Sequence, residues 1–112
     1  MLNELKEELL QSLGRHFPQS KIESKERRGI IFDLRAYVDE DIFIDAYANV
    51  LTGKRSFALI TKNERISGYD NYKFWHYHPP DNTNSHIPCD EPSIDSIILS
   101  FKDVLEKRFG KA

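Results

Sequence analysis

Three of the four histidines in this chain, His76, His78 and His86, fall within eleven residues, after Tyr69-Asp70-Asn71 and ahead of the single cysteine, Cys89. In an extended segment His76 and His78 share a face, because strand side chains repeat with period two. Imidazole has an unperturbed pKa of about 6.5, so such a group suits proton transfer near neutrality. The first chemistry that follows is metal-free cleavage of RNA. One of His76, His78 and His86 takes the proton of a 2′-hydroxyl and another protonates the leaving 5′-oxygen, while Asp70 fixes which ring nitrogen carries hydrogen. A cation must offset the charge that develops at phosphorus, and Arg35 or Arg65 supplies it. Tyr69, Tyr77 and Trp75 offer rings for unpaired bases, and Asn71 stands with them on the substrate side. The second chemistry is zinc binding by His76, His78 and His86, with Cys89 or Asp70 as fourth ligand. No second cysteine pair supports it, so the expectation is a site without a cofactor, with zinc the minor alternative.

Each of these residues also has an ordinary use. Asp70-Asn71 can close Asx hydrogen bonds on nearby backbone, and Arg35 can pair across strands with Asp45 or its neighbour Asp33. Cys89 lacks a paired base or a positive helix terminus and reads as an inert thiol.

The elements that must position the cluster are legible from periodicity. Leu2, Leu5, Leu9, Leu10 and Leu13 recur at spacings of three and four, predicting a helix to about His16, stopped by Gly14 and Pro18. From Gly29 the period becomes two. Ile30, Phe32, Leu34, Ala36 and Val38 alternate with Asp33, Arg35 and Tyr37, and after Asp39-Glu40-Asp41 a matching strand alternates Ile42, Ile44, Ala46, Ala48 and Val50 with Phe43, Asp45, Tyr47 and Asn49. Arg55 to Thr61 reads as a third strand, Arg65 to Tyr69 as a fourth, and Tyr72 to His78 as a fifth at the sheet edge, ended by Pro79-Pro80. Connections this short require antiparallel pairing. Pro79 to Pro92 reads as loop. Ser93 caps a closing helix from Ile94, with Ile94, Ile97, Ile98, Phe101, Val104 and Leu105 as its apolar stripe and Gly110 at its end. The fold class expected is therefore α+β in one domain, residues 1–112: a helix, a four- to five-stranded antiparallel meander, and a helix packed on the sheet.

Composition narrows the function classes. A chain of 112 residues with 39% hydrophobic and 30% charged content is sized for one core. No apolar run reaches the roughly 18 to 20 residues of a membrane span, and the acidic, amphipathic start lacks the pattern of an export signal. One cysteine cannot make an internal disulfide, so the expected setting is the cytoplasm. A net charge of −2 argues against coating nucleic acid by bulk electrostatics. The local basic cluster of Lys21, Lys25, Arg27 and Arg28 reads as solvated surface.

The strand ending in Tyr69-Asp70-Asn71, the His76-Tyr77-His78 element and the closing amphipathic helix together resemble the TumE-like toxin family of prokaryotic toxin–antitoxin modules. The resemblance spans Arg35 to Phe109 and singles out Arg35, Tyr69, Asp70, Asn71, His76 and His78, with His86 matching a later histidine. The chain departs from the family pattern in the aromatic insert Phe74-Trp75 and in a longer loop from Pro79 to Pro88. What the resemblance implies is a toxin-like protein whose partner is a cognate antitoxin, with Phe43 and Tyr47 as contacts for it unless they meet the second helix. The element order is also similar to RelE- and barnase-like ribonucleases, which adds RNA as a candidate substrate. A second reading, from a different class, is a non-catalytic module that presents the aromatic and histidine-rich loop to a protein or nucleic acid.

Overall fold

The computed structural model describes residues 2–110. Helix α1 (Leu2–His16) leads into β1 (Lys21–Arg27), β2 (Ile31–Asp39), β3 (Ile42–Asn49), β4 (Arg55–Thr61), β5 (Glu64–Asp70), β6 (His76–His78) and β7 (Ile87–Pro88), and α2 (Ile94–Phe109) closes the chain. The strands pair antiparallel in sequence order, so the sheet is an uninterrupted meander. Among the described residues, no helix is long and apolar enough to cross a membrane.

The sheet has seven strands where periodicity predicted four to five. The first addition, β1, carries the sequence KIESKER, is exposed at every position, and has no apolar alternation to betray it. What makes it a strand is the turn after it. Arg28 and Gly29 both take positive φ (55° and 66°), and the Ile30 N–H donates to the Arg27 carbonyl, the geometry of a type I′ hairpin turn. The basic cluster from Lys21 is thus an edge strand, where dense charge discourages pairing with other chains. The second addition is β7, only two residues long. Because it pairs with β6, the histidine strand is not the edge of the sheet, and that strand is also shorter than expected, starting at His76 rather than Tyr72. Pro88 is tolerated because β7 is itself the outer strand.

Both helices lie on one face. Leu5, Leu9 and Leu13 of α1 and Ile97, Ile98, Phe101 and Leu105 of α2 bury against Phe32, Leu34, Ile44, Phe57 and Leu59 of the sheet. Ser93 Oγ accepts the Ser96 N–H at 3.1 Å to cap α2, and Gly110, at φ 67°, ends it with its N–H on the Glu106 and Leu105 carbonyls. Among the described residues, the opposite face of the sheet has no helix. It carries Arg35, Phe43, Asp45, Tyr47, Asp70, His76 and His78, so Phe43 and Tyr47 do not meet α2.

The two helices are joined through Asp95, in the first turn of α2. Its Oδ1 accepts from Ser12 Oγ and Arg15 Nη2, each at 2.8 Å, and lies 3.0 Å from His16 Nε2. The hydrogen bonds from Arg15 and Ser12 hold the Asp95 carboxyl down to about 2, against an ordinary 3.8. A carboxyl lowered by folding adds stability above its unfolded value and loses it as pH falls through the folded one. The stability advantage of wild type over Asp95→Asn is therefore expected to be greatest above about pH 4 and to shrink as pH falls from 4 through 2. Urea unfolding followed across that range checks this; a difference that does not shrink between pH 4 and pH 2 contradicts it.

Candidate active site

The open face of the sheet acquires its chemistry from register. Asp70 pairs with His76 and Gly68 with His78, so the three polar side chains of β5 and β6 share a face. Asp70 is the hub. Its Oδ1 is 3.1 Å from His76 Nε2 and its Oδ2 is 3.1 Å from His78 Nε2. Each ring is also fixed from behind, His76 Nδ1 by the Phe74 carbonyl and His78 Nδ1 by the Thr83 carbonyl, both at 3.0 Å. The two rings are buried. His86 is exposed and comes in from the connecting loop, with its ring centre 4.8 Å from that of His76 and 4.7 Å from that of His78. The donor nitrogens of the three rings lie within 4.8 Å of one another.

Asp70 also serves the local turn, accepting the Tyr72 N–H at 3.0 Å. Burial opposes ionisation of its carboxyl. Its contacts with the Tyr72 N–H and with the His78 and His76 rings outweigh that and hold it below the ordinary carboxylate range.

Arg65 reaches this site through an irregularity. Leu59 pairs with Ser67 but the adjacent Ile60 pairs with Arg65, so Ile66 is the extra residue of a β-bulge. Without it, Arg65 and Gly68 would lie on opposite faces; the bulge brings both to the open one. The Arg65 stem then lies across Gly68, where an added Cβ would stand 3.2 Å from Arg65 Cδ, 3.1 Å from the Phe57 carbonyl oxygen and 3.7 Å from His78 Cδ2. Arg65 Nη2 donates to the Thr83 carbonyl at 3.0 Å, the same oxygen that takes His78 Nδ1. A small surface concavity of about 200 Å³ results, lined by Lys54, Ser56, Arg65, Asp70, Tyr72 and the three histidines.

The structure thus brings together His76, His78, His86, Asp70 and Arg65, and sets the other candidates apart. Arg35 is on the same face but on β2, four strands from β6 and so roughly 19 Å away at the usual strand spacing. There it pairs with Asp45 at 3.8 Å and lies 4.7 Å above the Phe43 ring centre, a cross-strand contact of surface type. Tyr69, one residue from Asp70, points to the helix face, donates to Ser100 Oγ at 3.1 Å and packs beside Phe101. Asn71 clamps the β3–β4 turn, accepting the Arg55 N–H and donating to the Gly53 carbonyl, each at 2.8 Å. Trp75 packs against the core. Cys89 is outside the histidine group, with its N–H on the Trp75 carbonyl; partial burial and neighbouring Asp90 push its thiol up, away from nucleophilic use. Lys54 and Ser56 are lining residues that the sequence reading did not single out, since pairing of β4 with β5 brings them to Asp70, and Tyr72 lines the site from two residues beyond Asp70.

Comparison with protein-family models, with curated proteins and with solved structures finds no match for this chain.

Proposed function

We propose that this chain cleaves phosphodiester bonds of RNA, as the toxin component of a toxin–antitoxin module. The observation that supports the reading is the coincidence, in one small concavity, of three imidazoles and a carboxylate with two cations, Lys54 and Arg65. Cleavage joins the 2′-oxygen to phosphorus and breaks the bond from phosphorus to the 5′-oxygen. A proton leaves the 2′-hydroxyl and one arrives at the departing 5′-oxygen, and the histidine cluster is the group that manages them. Arg65 and Lys54 offset the charge that builds on the phosphoryl oxygens, and the Tyr72 ring at the rim offers a surface for a flanking base. The concavity is smaller than the roughly 300 to 1,000 Å³ of a pocket that swallows a whole small molecule. It suits one phosphate of a longer strand. A cognate antitoxin would act by covering the open face, which Phe43 and Tyr47 share with the site.

The test is incubation of the purified chain with a short end-labelled single-stranded RNA. Fragments ending in a 2′,3′-cyclic phosphate are expected. Arg65→Gln is expected to slow their formation by roughly 10² to 10³, the usual cost of one lost oxyanion contact, whereas Arg35→Gln leaves it unchanged. RNA that is bound saturably but never cut would replace this reading with the non-catalytic binding module.

A further inference from the structure

We infer that His76, His78 and Asp70, completed by His86, hold one divalent first-row transition-metal ion. The hydrogens of the two buried rings are already committed. Phe74 and Thr83 each present a carbonyl oxygen 3.0 Å from Nδ1 of His76 and of His78 respectively, and a carbonyl only accepts. Nδ1 therefore carries hydrogen in both rings, and in a neutral ring Nε2 is then a bare lone pair. Yet each Nε2 faces an Asp70 oxygen at 3.1 Å, and an ionised carboxylate also only accepts. Two acceptor-to-acceptor contacts on buried rings need an electrophile. A second proton on each ring would set two positive charges side by side, their ring centres 4.9 Å apart, with one carboxylate to share. One divalent ion satisfies both nitrogens and the carboxylate together and leaves the rings neutral. An Nδ1–H held by a backbone carbonyl is also the outer contact that orients metal-bound histidines generally.

The spacing agrees with this. Ligand atoms at about 2.0 to 2.1 Å from a tetrahedral zinc are roughly 3.3 Å from one another, and each Nε2 to Asp70 contact measures 3.1 Å. The nitrogens of all three histidines span up to 4.8 Å, wider than ligands of one ion, so one ring must close in. His86 is that ring, because it is exposed and sits on the connecting loop whereas His76 and His78 are fixed in a strand. Three imidazoles and a carboxylate suit Zn²⁺, Co²⁺ or Ni²⁺. Cys89 takes no part. Arg65 and Lys54 stand over the same concavity. In the loaded site the rings are given to the ion and not to proton transfer, so a phosphoryl oxygen held by the two cations would enter as a fifth ligand and be polarised in place of the imidazole acid–base step. That last step rests on the RNA reading; ion binding does not.

The experiment uses the full chain stripped with chelator, then titrated with Co²⁺ by visible absorption and with Zn²⁺ by calorimetry. One ion per chain is expected, together with a higher unfolding temperature. His86→Ala, at an exposed position that folding does not need, is expected to weaken binding by roughly 100-fold; Asp70→Asn weakens it as well, and Cys89→Ser leaves it unchanged. A folded chain that takes up no stoichiometric Co²⁺ or Zn²⁺, or that binds them equally well without His86 and Asp70, overturns the inference. RNA cleavage at full rate by the stripped chain would overturn the ion's catalytic part and leave the RNA reading standing. Stoichiometric ion without cleavage would do the reverse.

Discussion

Asp70→Ala is expected to lower RNA cleavage by roughly 10³-fold, within the usual range for acid–base machinery, and to cost about 2 to 3 kcal/mol of stability. The side chains of His76 and His78 are only 4% and 2% exposed and that of Asp70 18%, and the two Asp70 oxygens are each 3.1 Å from one of the two Nε2 atoms. Deleting the carboxylate removes the group that the two buried ring nitrogens share through the ion, whereas the exposed Tyr72 N–H that it also accepts can turn to water. Each stranded buried group costs about 1 to 3 kcal/mol, but the concavity is open enough for water to recover part of the sum. Asp70→Asn separates the contributions. An amide lacks the charge that offsets an ion shared by both Nε2 atoms, yet keeps an oxygen for that ion and N–H donors for a bare Nε2, so its stability should fall between alanine and wild type. Urea unfolding of the three proteins, alongside RNA cleavage, decides the matter. An alanine variant as stable as wild type would mean that the carboxylate is not the element that holds the two rings.

The part of this site that spacing alone could reveal is the part built on unbroken strand geometry. His76 and His78 are two apart and share a face; Tyr69 and Trp75, each at an odd step from Asp70 or His76, pack on the core side, as the same alternation implies. Alternation also placed Arg35 on the correct face. It could not say how many strands separate Arg35 from the histidines, because that depends on the order of a whole sheet and on β7, which two residues and a proline hardly announce. Arg65 is the opposite case. Its approach to His78 depends on one inserted residue, Ile66, and on a glycine small enough to lie beneath the arginine stem, and neither leaves a periodic trace. The tail of α1 shows the same limit. Its apolar stripe is plain in the sequence, but the meeting of Ser12, Arg15 and His16 with Asp95, some eighty residues on, exists only once both helices dock on the sheet. Local pattern decides faces, and long-range pairing decides neighbours.

Phe101→Ala is expected to be the most destabilising single truncation, at about 3 to 5 kcal/mol, from lost transfer energy together with the cavity left behind. Phe101 is 0% exposed on the inner side of α2, and its ring centre lies 6.1 Å from that of Tyr69 on β5. The loss is a large share of the roughly 5 to 15 kcal/mol that a domain of this kind possesses, and it corresponds to a fall of about 12 to 20 °C in unfolding temperature. Leu99→Ala, on the outer side of the same helix at 42% exposure, should change stability by no more than about 0.5 kcal/mol. Thermal unfolding of the pair tests whether α2 is docked through this side; comparable losses at both positions would contradict it. The consequence reaches the other face of the sheet. Tyr69 and Asp70 are consecutive in β5, so the ring that Phe101 braces and the carboxylate that aims two histidines hang on one stretch of backbone. Loosening the helix beneath should therefore lower activity at temperatures where the chain is still folded, through a strand that no longer holds Asp70 opposite His76.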